Sequence, residues 1–423
     1  MNKGVELRLI IHNILSDILK QSKNYDISFI KYKVSNNFER DRSFIKNVCL
    51  NSMRYQFHTK KIIKKYIKKR TKTNEMLLLI SSITQIVFLN FKEYAVIDST
   101  VEIAKRLKIY PGFINAILRK ISEDKEELSK IRINFSDLPM WFIYYTKNLN
   151  ENEKKIFLEN FIEEPDLHMV FKNKNLCLQF KEKLITTSEI SGFLKDKKRI
   201  EDIDYYDDGI WWIQDFSSFY PISKITHDIE KKKCIDLCAA PGGKSFQILA
   251  KNNNITLNDI NKSRIKRLKK NLDRLNFKTK IYNFDALKIN SKEKYDFIVI
   301  DAPCSSVGTI RKNPEIFFRL KDPNLKSLIS VQKNILKKAS TLLNHKGVIL
   351  YMVCSFLEIE TTSLIEDFLG KNKNFQLDRS YFKENNNEYD KLLINNYMLT
   401  LPTKIKNFNI DGFFAVYLRK IDR

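Results

Sequence analysis

The chain has 423 residues, 43% of them hydrophobic and 12% aromatic, with 75 Lys and Arg against 50 Asp and Glu, a formal net charge of +25. That length suits two or three domains, and the apolar fraction supplies a core, which excludes a collagen-like, low-complexity or wholly disordered chain. The positive excess points to a polyanionic partner, most simply nucleic acid, although abundant Lys, Asn and Ile are also what an A/T-rich coding sequence produces.

No membrane span is legible. The best stretch, Met76 to Phe91, carries Ser81, Ser82, Thr84, Gln85 and Asn90 and falls short of the ~20 apolar residues a span needs. Lys3, Glu6, Arg8 and Asp17 interrupt any secretory h-region. Six cysteines in a chain of this length do not make a disulfide scaffold. A cytoplasmic protein without a membrane partner is expected.

Charge divides the chain into three parts: net +13 over residues 1–130, −1 over 131–205 and +13 over 206–423. The first part reads as helical. Val5, Leu7, Leu9, Ile10, Ile14, Leu15, Ile18 and Leu19 recur at three- and four-residue spacings. A basic amphipathic run follows, with Ile62, Ile63, Tyr66 and Ile67 as its stripe. Lys60, Lys61, Lys64, Lys65, Lys68, Lys69, Arg70 and Lys72 surround it, either as a phosphate-contacting surface or as a solvated helix face. Further helices are predicted over Met76 to Leu89, Val96 to Leu107 and, after Pro111-Gly112, Phe113 to Ile121. Residues 131–205, with breaks at Leu138-Pro139 and Glu164-Pro165 and a strand-like His168 to Phe171, read as a small α+β linker module.

From about residue 206 strands and helices alternate. Strands are predicted over Lys233 to Cys238, Ile255 to Asn258, Thr279 to Tyr282, Tyr295 to Ile300 and Val348 to Val353. Helices are predicted over Lys262 to Leu275 and Leu325 to Leu343. This pattern implies a doubly wound, mostly parallel α/β sheet. No internal repeat is found.

In such sheets ligands sit outside the carboxyl ends of the strands. At those ends stand Asp236-Leu237-Cys238-Ala239-Ala240-Pro241-Gly242-Gly243-Lys244, then Asp259, Asp285, Asp301 with Cys304, and Cys354. The two glycines let backbone amides approach a ligand and present the next helix N-terminus. Gly243-Lys244-Ser245 mimics the end of a phosphate loop, but position 238 is Cys where that motif needs Gly. A plain tight turn is the rival reading. Asp259 suits a ribose hydroxyl, or a simple helix cap, and Asp285 has the same two readings. A disulfide between Cys304 and Cys354 does not suit a reducing compartment. Zinc lacks partners, since no CxxC or HxxxH pair exists, and no metal is expected. Two catalytic thiols or two inert buried cysteines remain; Cys49, Cys177 and Cys234 are assigned to the inert class.

Together, DLCAAPGGKS (236–245), DAPCSSVG (301–308) and Cys354-Ser355 resemble the Nol1/Nop2/Sun family of RNA 5-methylcytosine methyltransferases, which use S-adenosylmethionine. Gly209 to Tyr220 (GIWWIQDFSSFY) and Asp411-Gly412-Phe413-Phe414 resemble that family's opening and closing elements. Phe113 to Arg119 (FINAILR), preceded by Val101 to Lys105, resembles a NusB-like RNA-binding domain. The resemblance covers nearly the whole chain and is weakest in 131–205 and 371–405. It implies an all-α NusB-like domain (1–130), the small α+β module (131–205) and a Rossmann-like class I methyltransferase domain (206–423).

For the site it implies that Cys238, Ala239, Ala240, Pro241, Gly242, Gly243 and Lys244 wrap the methyl donor, that Asp259 binds its ribose and that Asp285 lies near its adenine. Asp301 belongs to both the cofactor set and the catalytic set, orienting the target base. Cys354 is the nucleophile and Cys304 assists product release. The substrate implied by the domain pairing is 16S rRNA, at cytosine-967, acted on by a monomer, with Lys60 to Lys72 as an RNA guide. Two departures touch the geometry around the nucleophile. Val353 stands where the family usually has Thr, and Phe356-Leu357-Glu358-Ile359-Glu360 replaces its usual Pro and Asn. The same chemistry on tRNA, or an inactive RNA-binding assembly or antitermination factor, are the alternatives.

Overall fold

Apolar residues three and four positions apart, with few Gly or Pro, fold the N-terminal third into helices, and the change to strand-length apolar runs after residue 230 starts a sheet. The computed structural model describes residues 3–32, 39–196, 198–225, 227–290, 292–319, 322–382, 388–394 and 396–421. The chain forms two compact units, Met1–Lys147 with Ile310–Pro323, and Asn148–Thr309 with Asn324–Arg423.

The first unit is helical: α1 (Lys3–Gln21), α2 (Tyr25–Lys31), α3 (Glu39–Arg54), α4 (Gln56–Tyr66), α5 (Thr73–Ile83), α6 (Glu93–Arg106) and α7 (Pro111–Glu123), with shorter turns after them. Ile11, Ile14, Leu15 and Ile18 of α1 are fully buried with Ile45 and Val48 of α3. Ile103 and Ala104 of α6 join Ile114 and Leu118 of α7 in a second cluster. Each of these Ile, Leu and Val side chains contributes roughly 1.5–3 kcal/mol on burial.

The expected helices over Val96 to Leu107 and Phe113 to Ile121 are present as α6 and α7. Two expectations are corrected. The basic run does not continue as one helix to Lys72: α4 ends at Tyr66, and Ile67 is extended. The carboxylate of Glu75 accepts the Lys72 amide at 2.9 Å, so Lys72 caps α5 and leaves the helical path. The helix expected over Met76 to Leu89 is α5 followed by a wider π turn, Thr84–Phe88. There the Leu89 amide reaches the Thr84 carbonyl at 3.0 Å, while the Thr84 hydroxyl donates to the Ile80 carbonyl at 2.8 Å.

A segment distant in sequence completes this unit. Phe317 packs edge-on to Phe142 with ring centroids 4.8 Å apart, and Phe318 joins the cluster of Ile11 and Ile45. The Arg54 guanidinium donates to the Arg311 carbonyl at 2.9 Å.

In the second unit, β1 (His168–Phe171), β2 (Leu184–Ser188), β3 (Ser191–Leu194) and β4 (Trp211–Ile213) form an antiparallel sheet in the order β2-β3-β1-β4. The large sheet contains β5 (Cys234–Asp236), β6 (Ile255–Asn258), β7 (Lys280–Tyr282), β8 (Tyr295–Asp301), β9 (Leu343–Val353), β10 (Phe375–Leu377), β11 (Leu393–Ile394) and β12 (Tyr397–Thr400). A hairpin of β13 (Thr403–Ile405) and β14 (Phe408–Ile410) precedes its last strand, β15 (Phe413–Lys420). The order is β11-β12-β15-β9-β8-β5-β6-β7, with β10 also on β15.

From β7 to β9 all pairings are parallel, whereas β15, β12, β11 and β10 join antiparallel. The sheet is therefore mixed, with a parallel half where the alternating pattern predicted one. Helices cover both faces: Leu336, Ala339 and Leu342 share a cluster with Ile298 and Ile300, and Phe246, Leu268 and Leu272 with Leu257 and Val299. The reversed direction of β15 matters for the site. Phe414 pairs with Val353, so the Asp411-Gly412 turn lies where the parallel strands end.

Candidate active site

The loop after β5 is held shut from below by a buried carboxylate. Asp236 accepts the Cys238 amide at 3.1 Å and the Ser245 hydroxyl at 2.6 Å, and burial pushes its carboxyl up to about 7. The Ala240-Pro241 bond is cis. Gly242 has φ +115°, and a Cβ there would stand 2.1 Å from the Phe246 ring; only glycine fits this turn. Gly243 then opens the helix Gly243–Leu249.

Asp259 follows β6 and is 2% exposed. It accepts the Ala240 amide at 3.2 Å and the Asn261 amide at 2.9 Å, with Arg264 3.4 Å away. It therefore braces the glycine loop as well as facing the cleft. The buried Asn258 donates to the Leu237 and Phe284 carbonyls and accepts the Phe284 amide, tying together the chain after β5, β6 and β7. Asp285 accepts the Leu287 amide at 3.0 Å, so it caps the short turn Ala286–Lys288 and also borders the cleft.

Cys238, Asp259, Asp285 and Asp301 line one cleft of about 240 Å³. Its apolar walls include Ile260, Ala286, Leu287 and Val331, of which Ile260 is 67% exposed. Carboxylates with apolar faces between them suit a cofactor joining a sugar, a flat base and a charged tail. The residues fit S-adenosylmethionine on that donor set.

Beyond the cleft, β8 ends at Asp301 and β9 at Val353. Lys244 reaches across from the glycine loop to Asp301 at 2.7 Å, with its ammonium 5.4 Å from the Phe413 ring centroid. Burial pulls the Lys244 pKa down, but Asp301 and neighbouring groups more than offset this, so the amine stays charged. Cys304 and Cys354 have their sulfurs 3.4 Å apart, and the Ser306 hydroxyl is 3.4 Å from Cys354. The hydrogen bond from Cys304 makes Cys354 the more acidic thiol of the pair, helped by Ser306 and Lys244 and opposed by burial and Asp301. The same bond, with burial, pushes Cys304 well above the ordinary thiol range. By contrast burial alone raises Cys177 to about 11, and it is the chief reason that Cys234 rises to about 12 and Cys49 rises too.

The opening and closing elements meet beside these loops. Asp215 accepts the Asp411 amide at 3.2 Å, and the Ser217 hydroxyl donates to the Asp411 carbonyl at 2.6 Å. The Gly412 amide donates to the Gly308 carbonyl at 2.9 Å, and the Gly308 amide to the Cys354 carbonyl at 3.1 Å. A Cβ on Gly308 would lie 1.9 Å from the Gly412 carbonyl oxygen. Four separated segments are thus stitched around the two thiols.

The structure brings Cys238 to Lys244, Asp259, Asp285, Asp301, Cys304 and Cys354 to one end of the sheet. Sequence reasoning missed Asn258, Ile260 and Leu287, whose only signal was an amide or a large apolar residue at or just past a strand end, and Val331, which reaches the cleft from the middle of the helix Leu325–Leu342. It also missed Glu360. The basic run lies in the helical unit. Lys60 bonds Gln56 at 3.0 Å, and burial lowers its pKa to about 8. Lys61 pairs with Asp137 at 2.7 Å and Lys65 with Glu127 at 2.9 Å. Lys64, Lys68, Lys69, Arg70 and Lys72 are exposed. Among the described residues no cluster of three His, Cys, Asp or Glu side chains is placed to hold a metal, and no helix is long and apolar enough to cross a membrane.

A mixed sheet whose parallel strands end at a cleft of carboxylates and apolar side chains, with two thiols next to that cleft, defines a cofactor-dependent group-transfer enzyme of the class I methyltransferase type. Residues 225–419 match the family described as 16S rRNA methyltransferase RsmB/F, and residues 6–123 match the NusB family. Curated relatives include ribosomal RNA small subunit methyltransferase B of Shewanella oneidensis, 26% identical over 88% of this chain and 92% of the relative. The enzyme of the same name from Pasteurella multocida is 25% identical over 98% and 96%. Among solved structures, PH0851 superposes with a TM-score of 0.70 at 20% identity over 99% of both chains. NSun6 from Pyrococcus horikoshii with SFG superposes with a TM-score of 0.54 at 16% identity over 66% of this chain and 97% of that one. The protein is an S-adenosylmethionine-dependent RNA methyltransferase, similar over most of its length to the RsmB/Sun enzymes. The inactive-factor alternative is set aside accordingly.

Proposed function

We propose that this enzyme methylates C5 of a cytosine in 16S rRNA, with cytosine-967 as the target nucleotide, through a covalent adduct between Cys354 and C6. The observation that carries this reading is the pair of sulfurs 3.4 Å apart, flanked by the Lys244–Asp301 ion pair at 2.7 Å. One thiol more acidic than the other is what a nucleophile and a separate release group require.

S-adenosylmethionine supplies an electrophilic methyl on a positively charged sulfur. Cys238 to Lys244 and Asp259 would hold the donor, Asp285 would border its base, and Ile260 and Leu287 would shield that base from water. Cytosine C5 is a weak nucleophile. The Cys354 thiolate adds to C6, and the ring's electron pair becomes available at C5. Asp301 orients the base through its exocyclic amine, and the Lys244–Asp301 pair carries the proton that N3 needs as charge builds on the ring. Once C5 is alkylated a base takes its proton, the electron pair of that C–H bond re-forms the C5–C6 double bond, the C6–S bond breaks with Cys354 leaving as thiolate, and the N3 proton returns to the Lys244–Asp301 pair, with Cys304 assisting the release. A paired base is out of reach, so the target is a splayed or looped nucleotide. The exposed cations among Lys60 to Lys72 contact RNA phosphates without reading sequence. The domains are 1–130, 131–205 and 206–423, and the enzyme acts as a cytoplasmic monomer.

Labelled S-adenosylmethionine and small-subunit rRNA test this directly. Wild type should place label on cytosine C5 and Cys354→Ala should place none. Cys304→Ala should trap a protein–RNA adduct stable to denaturation. An adduct trapped by Cys354→Ala instead would reverse the two roles. Label found only on tRNA would move the substrate while keeping the chemistry.

A further inference from the structure

Both cysteine loops rest on one buried carboxylate that lies outside the cofactor cleft and touches neither sulfur. Glu360 is fully buried at the end of the turn Glu358–Glu360, before the helix Thr362–Lys371. Its Oε1 accepts the Ser305 amide at 2.8 Å and the Gln332 side-chain amide at 3.0 Å. Its Oε2 accepts the Ser305 hydroxyl and, at 2.6 Å, the Ser355 hydroxyl. The two hydroxyls also touch each other at 3.2 Å. Gln332 extends the frame by donating to the Pro303 carbonyl at 2.9 Å, and the Tyr351 hydroxyl donates to the Glu360 carbonyl at 3.2 Å.

Ser305 follows Cys304 and Ser355 follows Cys354. The carboxylate therefore accepts one bond from the residue next to each thiol, and a further one from the backbone of the Cys304 loop. Four donors converge on it, which compensates its burial. A buried carboxylate so placed is costly unless its bonds are made, and making them fixes both loops together.

We propose that Glu360 is the positioning residue of the two-thiol centre, setting the separation of Cys304 and Cys354 by clamping Ser305 and Ser355. This rests on the reading of those cysteines as nucleophile and release group. Glu360 does not contact the cofactor cleft, so its loss affects turnover rather than donor binding. Displacing a reacting group by about 1 Å costs on the order of 100-fold in rate.

The experiment compares Glu360→Ala, Glu360→Gln and Ser355→Ala in the full chain. Three readouts are used: kcat and KM for S-adenosylmethionine with small-subunit rRNA, thermal melting, and the rate at which iodoacetamide alkylates Cys354 without RNA or donor. Glu360→Ala should lower kcat about 100-fold, change KM for the donor less than about threefold, and change the alkylation rate. Glu360→Gln, whose carboxamide keeps the Ser305 amide bond and lets the hydroxyls turn round, should recover most of both. Ser355→Ala, which cuts only the arm to the Cys354 loop, should fall between, and it decides the matter if Glu360→Ala does not fold. Loss of kcat and donor binding together, with unchanged Cys354 alkylation, would overturn the proposal, as would full turnover in folded Glu360→Ala or, if that variant does not fold, in Ser355→Ala. Wild type inert toward every RNA would count against the methyltransfer reading alone, since alkylation reports the thiol geometry without it.

Discussion

The helical and the α/β units use their positive charge differently. Residues 1–130 and 206–423 carry the same net charge of +13. In the helical unit most cations of the basic run lie at the surface, and some pair with surface carboxylates, as Lys65 does with Glu127, while the buried Arg54 braces the Arg311 carbonyl away from any candidate site residue. In the α/β unit selected cations are drawn inward and given structural work. Lys244 is 17% exposed against Asp301, and Arg274 donates to the Tyr206 and Trp211 carbonyls. Surface pairs of the first kind contribute about 0–1 kcal/mol each, whereas an inward charge that loses its partner is far more costly. A net charge therefore says that a polyanion is attracted; it does not say which lysine takes part in chemistry.

The sharpest break of that contrast is Lys244→Met. It leaves Asp301 without its counter-ion beside the reacting base, and methyl transfer should fall on the order of 10³-fold. Retained turnover would show that Asp301 orients the base unaided. The next effect is on stability and concerns Asp236, the carboxylate under the glycine loop. Its carboxyl is raised from 3.8 to about 7 by burial. The folded chain thus holds a proton there more tightly than the unfolded chain between those values. Stability is greatest below the lower value, declines as pH rises through the window, and has dropped by roughly 4 kcal/mol above pH 7. Asp236→Asn keeps an acceptor for the Cys238 amide, offers its NH2 to the Ser245 hydroxyl as acceptor, and should flatten this slope, which melting temperatures from pH 4 to pH 8 would reveal. Equal slopes in both proteins would place the pH dependence elsewhere.

The smallest effect belongs to the helical surface. Replacing Lys64 and Lys68 by Ala should weaken RNA binding equally for all sequences. It should reduce the slope of log affinity against log salt by about 0.7–0.9 for each phosphate no longer neutralised. A slope that does not change would make these lysines a solvated face.

Legibility followed how local each feature is. Cys238 to Lys244, Asp259, Asp301, Cys304 and Cys354 each stand directly after an apolar run, so the strand pattern alone placed them at one edge of the sheet. Glu360 did not announce itself, because an acid six residues past Cys354 in Phe356-Leu357-Glu358-Ile359-Glu360 looks like any helix-start acid. Only the approach of the Cys304 loop makes it a shared acceptor. The end of α4 at Tyr66 was missed because the charge pattern suited a longer helix, while the cap on Lys72 supplied by Glu75 was the stronger local signal.

By itself the sequence determined the helix-rich first part, the parallel half of the large sheet and the placing of Cys304 and Cys354 just past two strand ends, since hydrophobic period is local. The tertiary structure alone decided that Ile310–Pro323 completes the helical core, that β15 runs antiparallel and brings Asp411-Gly412 to Gly308, and that Glu360 joins two loops. Those interactions link residues far apart in the chain, where period and propensity carry no information and packing and hydrogen-bond satisfaction choose the partner.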